Sequence, residues 1–466
     1  LSFRFFRLYL KVPIVLLALI EGALLFFAPY FAVAIRRGPE AAAGATQSGV
    51  LWPAALVFAV FGLVSLIAVG LYTVRQRTGR TGMALRVIAA VMNAVVLSAM
   101  VFYLLPELAI GRGTIGLTAL VAVASCIITR LLFERVVDQD TFKRRVLVYG
   151  AGRRAGSLLQ LRRRSDQRGF KLLGFMATEG DEVSPSENRL IPRPADLFGW
   201  ASQNEVDEIV VAMDDRRRGF PMHEFLECRL AGIEILELAS FLERETGKVR
   251  LDVLNPSWII FGEGFRVSLV QRALERGFDV AASLGLLLVS APFMIAVTLA
   301  IWIEDGLRAP VLYRQRRVGR HGAVFDVLKF RSMRTDAERA GEAVWAVKND
   351  PRVTRVGAVI RKTRLDELPQ LFNVLRGDMS FVGPRPERPE FVDQLEERIP
   401  YYRERHTVKP GITGWAQLCY PYGSSERDAI EKLQYDLYYV KNRSLLFDLV
   451  ILIQTVEVVL WGKGAR

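Results

Sequence analysis

Residues 361–386 read RKTRLDELPQLFNVLRGDMSFVGPRP, and the chemistry of the chain is concentrated there. One adjacent acidic pair, Asp366 and Glu367, follows Arg361, Lys362 and Arg364 and precedes Arg376 and Arg385. Leu368 to Phe372 carry apolar residues at helical spacing, and Pro369 is tolerated only in a first turn. The spacing predicts a helix whose N-terminus holds both carboxylates, where the macrodipole favours the ionised form. Asp followed by Glu is also how ordinary helices begin. The density of cations, together with Gly-Pro-Arg-Pro and the apolar pair Phe381-Val382, argues against a merely solvated face. Upstream, FDVLKFRSM reads as a strand that supplies Lys329 and Arg331. Cations packed around two carboxylates suit a substrate rich in phosphate, with a bivalent metal bridging the carboxylates to it.

The 466 residues are too many for one ordinary core, so two or three domains are expected. Hydrophobic residues make up 51% and mean hydropathy is +0.22, high for a soluble protein, with the excess in the first third. A net charge of +13 calls for an anionic partner such as lipid headgroups or nucleotides. Nucleic acid is not expected, because no zinc-finger, helix-turn-helix or RNA-binding signature occurs. Cys126, Cys228 and Cys419 are isolated, and His223, His321 and His406 are dispersed. Neither a disulfide framework nor a zinc site is expected, and a reduced, cytosol-facing environment fits.

Four apolar stretches are long enough to span a bilayer, about 12–35, 50–74, 83–105 and 115–132. The first is too long for a signal peptide, and three more follow it. Arg4, Arg7 and Lys11 precede the first span, and Arg75, Arg77, Arg80 and Arg86 occupy or border the second loop. Arg130, Arg135, Lys143, Arg144 and Arg145 follow the fourth, whereas the other loops carry only Arg36, Arg37 and Arg112. The positive-inside bias then puts both ends of the bundle in the cytoplasm.

From Arg145 short apolar strands alternate with amphipathic segments. VLVYG, KLLGFM, VDEIVVAM and IEILEL read as strands, and 153–164 and 222–230 as helices, which implies a parallel sheet with helices on its faces. Gly150-Ala151-Gly152-Arg153-Arg154-Ala155 fits the G-x-G-x-x-A form of the dinucleotide fingerprint. Any strand-to-helix turn in such a fold also benefits from glycine. Where the ribose-binding acid belongs, the chain reads Met176-Ala177-Thr178-Glu179, a loose match, so nucleotide binding and a structural turn both stand.

A fifth apolar segment, 280–303, has no charged residue, but both of its flanks are basic. A fifth crossing would also carry the cationic cluster out of the cytoplasm. Pro292, with Ser290 nearby, is expected to break the helix in the middle. A helix that enters and leaves on one face satisfies both facts, and a kinked fifth span is the alternative. Near the C-terminus, LLFDLVILIQTVEVVLWGK either lies in the headgroup layer with Trp461 as anchor or packs on the catalytic core.

From about Arg272 onward the chain resembles the bacterial sugar transferases that act on polyprenyl phosphate, the monotopic phosphoglycosyl transferases of exopolysaccharide and O-antigen assembly. The resemblance is carried by YRQRRVG at 313–319, KFRSM at 329–333, NDPR at 349–352 and RKTRLDELPQLFNVLRGDMS at 361–380. VGPRP at 382–386, KPGITGWAQ at 409–417 and DLYYVKN from Asp436 complete it. The whole chain looks most like the large form encoded with exosortase-type exopolysaccharide systems. It departs from the family pattern at Ser290-Ala291-Pro292, where Ser-Pro is usual, and in the loop 304–310.

The resemblance implies a multi-domain membrane protein of the inner membrane with three parts. These are a four-helix transmembrane bundle over 1–145, an α/β Rossmann-like domain over 146–265, and an α/β catalytic domain over 266–466 with a re-entrant helix at about 278–303. It implies transfer of a sugar-1-phosphate from a UDP-sugar to undecaprenyl phosphate, with Mg2+ required and UMP released. Asp366 would be the nucleophile, forming a phosphoglycosyl-aspartate, and Glu367 its partner, the two also being the candidate metal ligands. Lys329, Arg331, Arg364 and Arg385 are the candidates for neutralising the phosphates, unless they hold structural ion pairs. Membrane lipid is a further partner, and the middle domain offers surface for a homo-oligomer. Two rival readings are a non-catalytic nucleotide-binding sensor or scaffold, and a glycosyltransferase that attacks the sugar carbon and releases UDP.

Overall fold

Backbone polar groups can be satisfied inside lipid only by helices or closed barrels, and the apolar runs of the first third are helical. The structure, a computed structural model, describes residues 2–5, 8–40, 44, 49, 51–69, 71–72, 80–137, 143–159, 169–178, 181, 189–215, 219–254, 268–334, 352–420, 423 and 425–460. Two compact units divide the chain, Leu1–Leu254 and Asn255–Arg466.

In the first unit a hairpin of β1 (Ser2–Phe5) and β2 (Leu8–Lys11) leads into four helices. These are α1 (Val12–Arg37), α2 (Trp52–Ala68), α3 (Arg80–Leu104) and α4 (Arg112–Val137). α1 packs on α2 and α4, and α3 closes the ring against both. Val15–Arg37, Gly82–Leu104 and Gly113–Phe133 are long and apolar enough to cross a membrane. Leu19, Phe31, Val96 and Leu120 stay exposed on outer faces, as lipid-facing residues do. The second span is shorter than its sequence suggests: α2 ends at Ala68 instead of running toward 74. The chain turns there because the Arg86 and Arg130 guanidinium groups donate to the carbonyls of Val69 (3.2 Å) and Leu71 (2.9 Å). Arg130 also pairs with buried Glu21 through two 2.7 Å contacts, which joins α4 to α1. Arg75 and Arg77 lie outside the described residues.

A five-stranded parallel sheet follows in the order β5-β4-β3-β6-β7. It comprises β3 (Arg144–Tyr149), β4 (Phe170–Met176), β5 (Leu190–Ile191), β6 (Glu208–Val211) and β7 (Glu234–Glu237). Leu147, Tyr149, Ile209 and Val211 form its core with Leu197 and Phe225 of the helices α6 (Leu197–Gln203) and α7 (Met222–Leu230). The helix after the glycine turn, α5, covers Arg153–Leu159, and the remainder of the segment expected to reach 164 lies outside the described residues. Glu208, fully buried, pairs with Arg144 at 2.8 Å and with Arg244 of α8 (Leu238–Thr246) at 2.7 Å.

The second unit opens with α9 (Leu269–Asp305), capped by Ser268, whose hydroxyl accepts from Gln271 N at 3.1 Å. Pro292 does not end this helix, which starts well before 278 and is continuous to Asp305. A proline removes one backbone donor, and here the helix tolerates that loss. Ser290 Oγ faces Met294 Sδ at 3.8 Å. The antiparallel hairpin β8 (Leu312–Val318) and β9 (Val324–Phe330) comes next, then α10 (Arg355–Lys362) and α11 (Gln370–Arg376). β10 (Ser380–Val382) pairs in parallel with β11 (Gly411–Thr413), with α12 (Pro389–Arg398) between them in sequence. The unit closes with α13 (Trp415–Cys419), α14 (Glu426–Asn442) and α15 (Leu445–Leu460). Phe447 and Ile451 of α15 are buried, and Asp448 accepts from Tyr439 Oη at 2.8 Å, so this end of α15 packs on the core of the second unit. Trp461 lies outside the described residues.

Burial, followed by the charges of Arg405 and Arg403, pushes the His406 imidazole down to about 3. The unfolded chain takes up that proton at the ordinary value of 6.5, so below it the unfolded state binds more protons. Stability from this residue is complete above about pH 6.5 and is lost as the pH falls toward 3, at up to about 1.4 kcal/mol per unit. His406→Gln is expected to flatten the fall in Tm between about pH 7 and 5. Parallel Tm curves for parent and variant would assign the acid limb to another group.

Candidate active site

Alternation along β8 and β9 decides which cations meet. In the hairpin register Tyr313 faces Lys329, Gln315 faces Val327 and Arg317 faces Phe325. Opposed residues share a face of the sheet and every second residue returns to it, so Arg317 and Lys329 lie on one side. The dyad helix is clasped to this hairpin by Asn373, which is fully buried. Its Oδ1 accepts from Leu328 N at 2.9 Å and its Nδ2 donates to Asp326 O at 2.7 Å, as a neighbouring strand would. Arg276 donates to the carbonyls of Val374 and Leu375, both at 2.6 Å, and holds the other end of α11.

Asp366 and Glu367 occupy a single 3-10 turn, Leu365–Glu367, and α11 begins only after Pro369. The carboxylates therefore sit just ahead of the helix and not in its first turn, because Pro369 takes the capping position. Arg364 enters this turn with φ of +61°, a left-handed conformation that non-glycine residues seldom adopt. That bend brings its guanidinium within 3.6 Å of Glu367 Oε1. Arg385 reaches the same oxygen at 3.7 Å and Lys329 at 4.0 Å. Three of the four cations proposed from sequence thus converge on one carboxylate oxygen. Arg331 does not: its guanidinium is buried on Asp305 at 2.6 Å, at the end of α9.

The two carboxylates are driven apart. Burial would raise Glu367, but Arg385, Lys329 and Arg364 outweigh it and hold the group below its ordinary value. Burial raises Asp366, and the charge of Glu367 adds to it, against Lys329, Arg364 and Arg361. Desolvation therefore dominates Asp366, where sequence alone pointed to the helix dipole. Asp366 Oδ1 is buried and finds no hydrogen-bond partner among the described residues. Burial draws Lys329 down to about 8, with Glu367 opposing.

Sequence reasoning missed Arg317 as a site residue. Its Nη1 donates to Pro386 O at 3.1 Å, and with Lys329, Gln370 and Arg385 it lines a cavity of about 20 Å³ beside the dyad. Strand alternation in YRQRRVG held the signal, but only the register of the hairpin aligned it with Lys329. Arg385 is set by a close backbone approach: a Cβ at Gly383 would strike Lys409 O, so the chain can pass there only as glycine.

Among the described residues no cluster of three or more His, Cys, Asp and Glu side chains forms a metal cage. Magnesium needs none, since it commonly uses one or two carboxylates plus substrate phosphates. The orphaned, buried Asp366 Oδ1 beside an ionised Glu367 fits that requirement.

The glycine turn in the first unit has its own carboxylates. Asp214 accepts from the amides of Arg153 at 2.8 Å and Arg154 at 2.9 Å, and Asp181 accepts from Ala151 N at 2.8 Å. Three backbone donors of the turn, those of Ala151, Arg153 and Arg154, are thus engaged by the protein's own carboxylates.

A family model described as bacterial sugar transferase matches residues 270–462, and one described as CoA-binding domain matches 67–219. The UDP-N-acetylgalactosamine-undecaprenyl-phosphate N-acetylgalactosaminephosphotransferase of Aeromonas hydrophila is 41% identical over 261 residues, covering 56% of this chain and 60% of that protein. The undecaprenyl-phosphate glucose phosphotransferase of Komagataeibacter xylinus is 31% identical over 354 residues, covering 74% and 64%. The UDP-glucose:undecaprenyl-phosphate glucose-1-phosphate transferase of Xanthomonas campestris pv. campestris is 32% identical over 381 residues, covering 76% and 75%. The matched region thus spans three fifths to three quarters of the length of these relatives.

Proposed function

Because this chain belongs to the bacterial sugar transferase family, we propose that it moves a sugar-1-phosphate from a UDP-sugar to undecaprenyl phosphate and releases UMP. This would be the first membrane step of exopolysaccharide assembly. The observation that carries the reading is the split pair: Glu367 held ionised by three cations beside a buried Asp366 with an oxygen that has no hydrogen-bond partner among the described residues.

In the first half-reaction an Asp366 carboxylate oxygen attacks the β-phosphorus of the donor. The bond from that phosphorus to the bridging oxygen breaks, UMP leaves with the electron pair, and the sugar phosphate remains on Asp366. In the second, a phosphate oxygen of the lipid attacks the same phosphorus and frees the carboxylate. A raised pKa makes Asp366 the better nucleophile once ionised. Lys329, Arg364 and Arg385 spread the negative charge that would otherwise repel it, Arg385 and Arg364 with the planar fork suited to phosphate. Magnesium held by Asp366 and Glu367 would supply further neutralisation of the diphosphate.

α9 is read as re-entrant, with the catalytic unit at the cytoplasmic face of the inner membrane. Support comes from both halves of the helix docking on the same unit. Asp279 accepts from Phe381 N at 3.1 Å, while Val297 and Ile301 pack with Phe330 and Ile360. A crossing helix would place those halves on opposite sides. A nucleotide sensor working through Gly150–Ala155 has less support, given the occupied amides of that turn.

The test is product identity. With undecaprenyl phosphate and Mg2+, UMP release is expected from at least one of a panel of UDP-sugars, and EDTA is expected to stop it. Release of UDP would instead indicate direct attack at the sugar carbon.

A further inference from the structure

A second cavity, of about 210 Å³, lies in the catalytic unit and plays no part in the chemistry above. Its lining includes Glu387, Phe391, Leu395, Tyr402, Arg405 and Lys432. The consecutive residues Arg385, Pro386 and Glu387 run between this cavity and the small cationic cavity beside the dyad. Arg385 and Pro386 line the dyad side, and Glu387 the other. This partition is pegged from both sides. Arg317 donates to Pro386 O at 3.1 Å and lies 3.6 Å from the Glu387 carboxylate, and Arg405 donates to Arg385 O at 3.0 Å.

The walls differ in the chemistry they accept. Arg317, Lys329 and Arg385 on the dyad side suit a diphosphate. The larger cavity mixes acidic Glu387 and Glu426 with Arg398, Arg405 and Lys432 beside the apolar faces of Phe391, Leu395 and Tyr402, so it offers acceptors and donors to hydroxyls next to a surface for a ring. Its volume is that of several waters, at roughly 30 Å³ each, and so of one hydroxylated ring.

We infer that the larger cavity receives a hydroxyl-bearing ring of the nucleotide sugar, the ribose or the hexose, while the diphosphate lies across the partition at the dyad. The inference rests on the transferase reading and extends it to donor selection. Gln394 stands exposed at the rim, so Gln394→Trp covers the mouth without disturbing the core, and Ala429→Phe fills the cavity from α14.

Both variants are expected to lower kcat/KM for the UDP-sugar by about tenfold or more, the range for losing one well-packed group. If the ring is ribose, inhibition by added UMP weakens in parallel. If it is the hexose, inhibition by UMP is unchanged and the ranking of UDP-sugars shifts. An active parent whose two variants keep kcat/KM within about twofold for every donor overturns the cavity assignment alone. A parent that releases no UMP from any donor overturns the transferase reading, and this inference with it.

Discussion

Asp366→Asn is expected to abolish sugar-phosphate transfer, by on the order of 10³-fold or more in kcat, as loss of a covalent nucleophile does. The amide fits the same space, so the fold should survive and Tm should stay near that of the parent. An amide cannot form the acyl phosphate, so no radiolabel from the sugar phosphate should remain on the variant after denaturation. The parent, given a UDP-sugar without lipid acceptor, should carry one label per chain at Asp366. Full activity in the variant, or a label mapped to another residue, would remove Asp366 from the mechanism.

Arg385→Ala is expected to lower kcat/KM by about 10²- to 10³-fold, the loss for one preorganised donor at a developing charge. Glu367 keeps Lys329 and Arg364, so the variant should fold. Arg331→Ala makes the contrast. It leaves Asp305 without the partner that joins α9 to the strand carrying Lys329, so Tm should fall while the surviving folded enzyme keeps most of its kcat. Sequence placed these two arginines in one class, and the structure separates them. Equal losses of kcat with unchanged Tm in both variants would show that Arg331 also meets phosphate.

Much of this was legible because it is local. Runs of apolar residues between basic loops announce helices in lipid, since backbone groups there have no other partner. Short apolar runs located four of the five strands of the parallel sheet, and β5, only Leu190–Ile191, was too short to register. The order of motifs around Asp366 pointed to the family. Where local rules failed, a neighbour distant in sequence had won. α2 stops early because Arg86 and Arg130, from two other helices, take the carbonyls at its end. The glycine turn reads as a phosphate cradle until Asp181 and Asp214, from beyond other strands, are seen on its amides.

The sequence by itself determined the membrane helices, the parallel sheet and the presence of two carboxylates among many cations, because composition and period act along the chain. Only the tertiary structure decided which cations meet which carboxylate. Hairpin register put Arg317 beside Lys329, a left-handed turn aimed Arg364 at Glu367, and Asp305 claimed Arg331. Coulomb energy depends on distance through space and on burial, and neither is written in the spacing of residues along a chain.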